Sequence, residues 1–258
     1  MSNGRLLNCL WLICWLLCAS QMPAQPAFRL HPLGDGLALS AGLGLTLAGY
    51  RLNQQLLPLS PANLQGLNTS GLPRIDRFAT AYYRPSVAAV SDWIAVAAVA
   101  VPAICLRSEY IRQRLPTVGL MAAEGALWTS GLTLLTKGLT QRLRPYVYNA
   151  AVAPEEKMTA DGRRSYFSGH VAMAAYTTFA GASLYSQVYP DRRAKWVIWA
   201  AAALLPAATA WGRVYSGKHF LTDVVTAYAV GAGVGLLTVR LHRSRPGLAT
   251  TRGQAGYR

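Results

Sequence analysis

Three polar clusters in this sequence carry residue types suited to moving a phosphoryl group. Lys137 is followed by Arg144-Pro145, Tyr166-Phe167 by Ser168-Gly169-His170, and Arg213 by His219 and Asp223. Lys137, Arg144 and Arg213 are fixed cations, and guanidinium forks match tetrahedral oxyanions in bidentate fashion. Ser168 and Gly169, placed at a helix start, offer a hydroxyl and free backbone N–H groups that favour a phosphate together with the helix dipole. His219 and Asp223 are four apart and share one helical face. The carboxylate can then hold one imidazole nitrogen, fix the tautomer and leave the other nitrogen as a nucleophile. His170 is a second imidazole, suited to protonating a leaving oxygen near neutral pH.

These clusters sit between long apolar runs. Of the 258 residues 52% are apolar and only 14% charged, and the mean hydropathy is +0.22. Soluble domains carry about a quarter charged residues, so the composition indicates a membrane protein. Uncharged or nearly uncharged runs cover Leu6–Phe28, Gly36–Tyr50, Pro85–Leu106, Leu115–Thr136, Val171–Pro190, Trp196–Gly212 and Val224–Val239. A spanning helix needs about 20 residues, fewer where flanking Arg or Lys can snorkel. The Gly36–Tyr50 run is short: its reach is ~22 Å against a ~30 Å hydrocarbon core. The expected fold is therefore an all-α polytopic bundle of about six helices, residues 29–242. An N-terminal segment, 1–28, precedes it, either a cleaved secretory signal or an uncleaved helix, and a basic tail, 243–258, follows.

The connections Arg107–Arg114 and Asp191–Lys195 are short and dense in Lys and Arg, as is the tail, which assigns them to the cytoplasmic side. The 170s and 200s helices make one crossing out and one back. All three polar clusters then lie on the opposite face, where an active site is expected. Net charge is +15, which suits anionic partners such as lipid headgroups or phosphorylated substrates. Nucleic acid is not expected as a partner, because it gives no reason for this much hydrocarbon.

Singly, each cluster has a plainer explanation: interfacial snorkels for Lys137 and Arg144, a helix-start residue for His170, a structural pair for His219 and Asp223. Coincidence on one face makes the joint chemical reading the stronger one. Glu124 and Asp92, acids inside apolar runs, are left outside the expected site as bundle-interior hydrogen-bonding groups. Arg163 and Arg164 are assigned to a solvated loop face. No His, Cys or carboxylate cluster stands at metal-ligand spacing, so no metal and no cofactor are expected.

At these positions the chain resembles the type-2 phosphatidic acid phosphatase superfamily, the lipid phosphate phosphatases, in a bacterial membrane branch. That family carries K-x6-R-P, then P-S-G-H, then S-R-x5-H-x3-D. Here the first motif is complete, Phe167 stands in place of Pro in the second, and Gly212 in place of Ser in the third. The resemblance implies a metal-free hydrolase of lipid phosphate or pyrophosphate monoesters, with undecaprenyl pyrophosphate, phosphatidylglycerol phosphate, phosphatidate and lipid A phosphates as candidates. It implies that His219 attacks phosphorus to form a phosphohistidine, oriented by Asp223, and that His170 protonates the leaving group and then activates water. Lys137, Arg144, Ser168, Gly169 and Arg213 would hold the phosphate oxygens. The implied location is the bacterial inner membrane with the site on the periplasmic side. A soluble-type acid phosphatase, a vanadate-dependent haloperoxidase and a catalytically silent lipid-binding protein are the alternatives.

Overall fold

A computed structural model of the protein describes residues 28–244. The signal-like reading of the N-terminal segment and nearly all of the basic tail lie outside the described residues. Six long helices make the bundle: α1 (Pro32–Gln54), α2 (Pro85–Ala100, continued as a 3₁₀ turn over Val101–Arg107), α3 (Leu115–Thr140), α4 (Gly169–Val188), α5 (Ala194–Tyr215) and α6 (Leu221–His242). The Gly36–Tyr50 run, expected to be short for a span, lies within α1. α1 has 23 residues, about 35 Å of helix, because it extends past the uncharged run to take in Asp35 and Arg51.

Local chemistry sets several helix ends. Pro32, Pro85 and Pro116 occupy first-turn positions of α1, α2 and α3, where a missing N–H costs nothing. Asp35 accepts the His31 N–H at 2.7 Å and closes the first turn of α1. At the other end of α3, Gln141 takes a left-handed conformation and its N–H bonds the Lys137 carbonyl, which stops the helix and turns Arg142 and Arg144 back toward the bundle.

α4 is the central helix. It packs on α6, α5, α2 and α3, and Gly231 and Gly235 let α6 approach it closely, since a Cβ at Gly231 would lie 2.1 Å from the Ala172 carbonyl oxygen. Among the described residues four spans are long and apolar enough to cross a membrane: Pro85–Arg107, Leu115–Tyr148, Ala194–Tyr215 and Leu221–His242. α1 is not among them, in keeping with its short apolar run, and neither is α4, although its sequence reads as a clean span. Its neighbours explain this: a helix wrapped by others meets protein, so its Thr, Ser, Gly and Ala need not match lipid. Leu33, Leu37, Leu43, Leu47, Trp93, Val96, Trp196, Leu204, Trp211 and Leu237 are exposed large apolar side chains on α1, α2, α5 and α6, and α4 contributes none among the described residues. That apolar exterior is the surface of a membrane protein.

α1, α3 and α5 run toward the end of the bundle where α2, α4 and α6 begin. All three polar clusters therefore reach that one end, beneath loops packed around Leu59, Tyr146, Val147 and Val152.

Candidate active site

Lys137, Arg144, Gly169, His170 and His219 line a single cavity of about 620 Å³. Arg164, Asp161, Asn53 and Asp92 join them there, and so do apolar groups of four helices, among them Tyr50, Val96, Val99, Leu134 and Met173. The other expected residues stand behind this surface. Ser168 caps α4 and is fully buried, with no hydrogen-bond partner for its Oγ. Arg213 is buried as well, its Nη1 2.5 Å from Asp92 Oδ1 and its Nε unpaired. Asp223 does not reach the cavity at all.

His219 is held by a group that spacing does not reveal. Its Nδ1 lies 2.7 Å from the Ser165 carbonyl oxygen and 3.6 Å from Asp223 Oδ2. A carbonyl only accepts, so Nδ1 carries the proton and Nε2 presents its lone pair. The expected direct grip of Asp223 on the imidazole is thereby corrected. Asp223 Oδ2 instead accepts the Ser165 hydroxyl and, at 2.8 Å, the Phe220 N–H, reaching back across the first turn of α6. One serine thus connects the pair: its carbonyl holds the imidazole and its hydroxyl meets the carboxylate. The preceding turn places His219, with Gly217 at φ +76° and a would-be Cβ 2.1 Å from the Tyr82 carbonyl oxygen; only glycine fits there. Burial drives the His219 pKa well below the usual histidine value of 6.5, and Arg144, Lys137 and Arg213 push it in the same direction against the Ser165 carbonyl. The imidazole is thereby held neutral at physiological pH.

Cations surround that imidazole. The Arg144 side chain is anchored by its Nε on the Asp161 carbonyl at 2.9 Å and by Nη2 on the Asp161 carboxylate at 2.7 Å. Lys137 Nζ donates to the Arg164 carbonyl at 2.8 Å, and Arg164 Nη2 donates to the Asn53 carbonyl on α1 at 2.7 Å. Arg164 is therefore part of the cavity wall rather than a solvated loop residue. His170, half-exposed, has Nε2 3.3 Å from Asp92 Oδ1. Asp92 thus belongs beside the site, bridging His170 and Arg213, which corrects its assignment to the bundle interior. Its signal was present in the sequence as an acid inside an apolar run.

Arg142 and Asp76 were not legible at all. Arg142 bonds Asp223 through Nη1 and Asp76 through Nη2 at 2.8 Å, and its guanidinium lies 4.3 Å from the Phe220 ring centroid. Asp76, fully buried, also accepts the Thr222 N–H at 3.0 Å and the Thr222 hydroxyl at 2.7 Å. A long loop residue thereby fixes the start of α6 and the carboxylate behind His219.

The family model of the PAP2 superfamily matches residues 115–246, just over half of the chain. A lipid A 4'-phosphatase of Porphyromonas gingivalis is 29% identical over 82 residues, and that match spans 31% of this chain and 31% of the relative. A transmembrane PAP2-type phosphatidylglycerolphosphate phosphatase from Bacillus subtilis is 20% identical, aligns over 77% of this chain and 94% of its own, and superposes with a TM-score of 0.36. With a family match spanning α3 to α6 and every motif inside it, the chain belongs to the PAP2 superfamily.

Proposed function

We propose that this protein is a membrane-embedded phosphatase that hydrolyses lipid phosphate or pyrophosphate monoesters through a phosphohistidine on His219. The observation that carries the reading is the composition of the cavity: cations and two imidazoles at one end, and Val96, Val99, Leu134 and Met173 leading between helices α2, α3 and α4 at the other. A lipid can place its phosphate on the cations while its chains remain among apolar side chains, and a soluble ester gains nothing from that wall.

In the first step His219 Nε2 attacks phosphorus, a P–N bond forms and the P–O bond to the leaving group breaks. The Ser165 carbonyl holds Nδ1–H throughout and stabilises the charge that develops on the ring. His170 gives its proton to the departing oxygen. Lys137, Arg144 and the backbone N–H groups at the α4 N-terminus bind the equatorial oxygens as negative charge concentrates there, with the Arg213 charge behind them. In the second step His170 takes a proton from water, the resulting hydroxide displaces Nε2, and inorganic phosphate leaves. Asp92, beside His170 and Arg213, keeps the imidazole directed and offsets the cationic charge around it. The site is assigned to the periplasmic face of a bacterial inner membrane from the distribution of Lys and Arg among the loops.

The test is a panel of undecaprenyl pyrophosphate, phosphatidylglycerol phosphate, phosphatidate and lipid A phosphate beside a water-soluble aryl phosphate, with purified protein in detergent and no added metal. At least one lipid is expected to surpass the soluble ester in kcat/KM, and vanadate, a trigonal-bipyramidal mimic, to inhibit. A soluble ester turned over better than every lipid would overturn the lipid reading, with His219→Ala as the control for the chemistry.

A further inference from the structure

The helix ends opposite the cavity hold a second cluster of ionisable groups. Asp35 of α1, Glu124 of α3 and His242 of α6 are all buried, with one ligand atom from each lying within 4.8 Å of the others. His242 Nε2 is 3.3 Å from Asp35 Oδ1 and 3.3 Å from Glu124 Oε2. Along the helices the cluster is roughly 20–30 Å from the cavity, counting 1.5 Å per residue from Glu124 to Lys137 and from His242 to Asp223. No residue of the phosphatase chemistry belongs to it.

The orientation of each group is fixed by a bond to something else. His242 Nδ1 is 2.8 Å from the Thr238 carbonyl oxygen. It therefore carries the proton, and the Nε2 lone pair of the neutral ring points at the two carboxylates. Asp35 spends Oδ2 on the His31 N–H and turns Oδ1 toward the ring. Neither Glu124 Oε2 nor His242 Nε2 has a hydrogen-bond partner, though both atoms are buried. Three lone pairs thus converge in an apolar interior, which is unfavourable unless a positive charge lies between them.

A proton on Nε2 would leave one net negative charge and bonds of poor geometry, since no hydrogen bond to either carboxylate forms. A divalent cation would bring the trio to neutrality. Separations of 3.3 Å also match the edge of a tetrahedron with metal–ligand bonds of about 2.0–2.1 Å, which is ~3.3–3.4 Å. One imidazole and two carboxylates is a borderline donor set that suits zinc and its first-row neighbours, whereas calcium and magnesium prefer oxygen alone. The Thr238 carbonyl on the far ring nitrogen is the outer partner such histidine ligands usually have.

We infer that Asp35, Glu124 and His242 form a structural binding site for a divalent transition-metal ion of the zinc class, which ties α1 to α3 and α6 at the end of the bundle remote from the cavity. Its members are 89 and 118 residues apart in the chain (124 − 35 and 242 − 124), so spacing along the sequence does not show them.

The test uses full-length protein purified in detergent without a histidine tag, stripped with chelator and titrated with Co²⁺ or Zn²⁺. One equivalent per chain is expected, with the visible d–d bands of tetrahedral Co²⁺ and a higher Tm on loading. Asp35→Asn, Glu124→Gln and His242→Gln should each weaken binding by at least about 100-fold, beyond what loss of an outer partner costs. His31→Gln, an exposed neighbour, should leave it unchanged. If the variants fold poorly, X-ray absorption on zinc-loaded wild type still decides, with one imidazole, oxygen neighbours and no sulfur expected. Failure of folded wild type to take up an equivalent, uptake unchanged in all three variants, or a sulfur shell would each overturn the inference.

Discussion

The Ser165 carbonyl oxygen lies 2.7 Å from Nδ1 of His219. A neutral acceptor thus sets the tautomer that a carboxylate sets in the familiar hydrolase triads. Asp223 then contributes through its charge and through the Ser165 hydroxyl. Asp223→Asn is expected to cost about 10–100-fold in kcat, well short of the ~10⁴-fold seen where the carboxylate itself fixes the tautomer. Steady-state kinetics beside His219→Ala checks this, and an equal loss in both variants would return the orienting role to Asp223.

His219→Ala and His170→Ala should lose activity in different ways. General acid–base catalysis contributes ~10²–10⁴-fold, so a substrate with a good leaving group should restore part of the His170→Ala rate. It should restore none of the His219→Ala rate, because that variant lacks the proposed nucleophile. Comparing alkyl and aryl phosphates in both variants reads this directly.

Burial and the nearby Arg144, Lys137 and Arg213 lower the His219 pKa in the fold, which makes stability depend on pH with a definite sign. Above the unfolded value of about 6.5 the ring is neutral in both states and its contribution is complete. As pH falls below that value the unfolded chain gains a proton the native state refuses, and stability drops by up to about 1.4 kcal/mol per pH unit. The Tm of wild type should therefore fall more than that of His219→Gln between about pH 7.5 and pH 5.5. Parallel melting curves would contradict the buried neutral imidazole.

Arg142 stands between two fully buried carboxylates, Asp76 and Asp223. Removing one member of a buried ionic group leaves uncompensated charge and costs about 3–5 kcal/mol. Arg142→Met should thus lower Tm strongly, with activity falling through the loosened start of α6. Pairing it with Asp76→Asn should recover part of the loss in a double-mutant cycle.

Reporter fusions after Arg112 and after Ala160 should fall on opposite sides of the membrane. Arg112 follows α2 and Ala160 follows α3, so a single crossing separates them. Reporters on one side only would refute the bundle's orientation.

Sequence alone determined the class of the fold and the family whose motifs the chain carries. The apolar runs were long enough to require helices across a membrane, and the spacings of Lys137 to Arg144 and of Arg213 to His219 and Asp223 are local, so the chain itself displays them. Helix direction then sent α3, α4 and the turn before α6 to one face without any knowledge of packing. What holds those residues was decided only in three dimensions. Ser165 acts on His219 partly through a backbone carbonyl, an atom every residue possesses, so residue type gives no clue to it. Asp76 and Arg142 meet across 66 positions, and Asp35, Glu124 and His242 come from three helices. Such groups are isolated polar letters in the chain, and their partners exist only once apolar packing has set helix against helix. The length of α1 was hidden for the same reason. Asp35 breaks the apolar run in sequence, yet in the bundle its carboxylate closes a helix turn and faces His242, so the charge that ends the apolar run is part of what starts the helix.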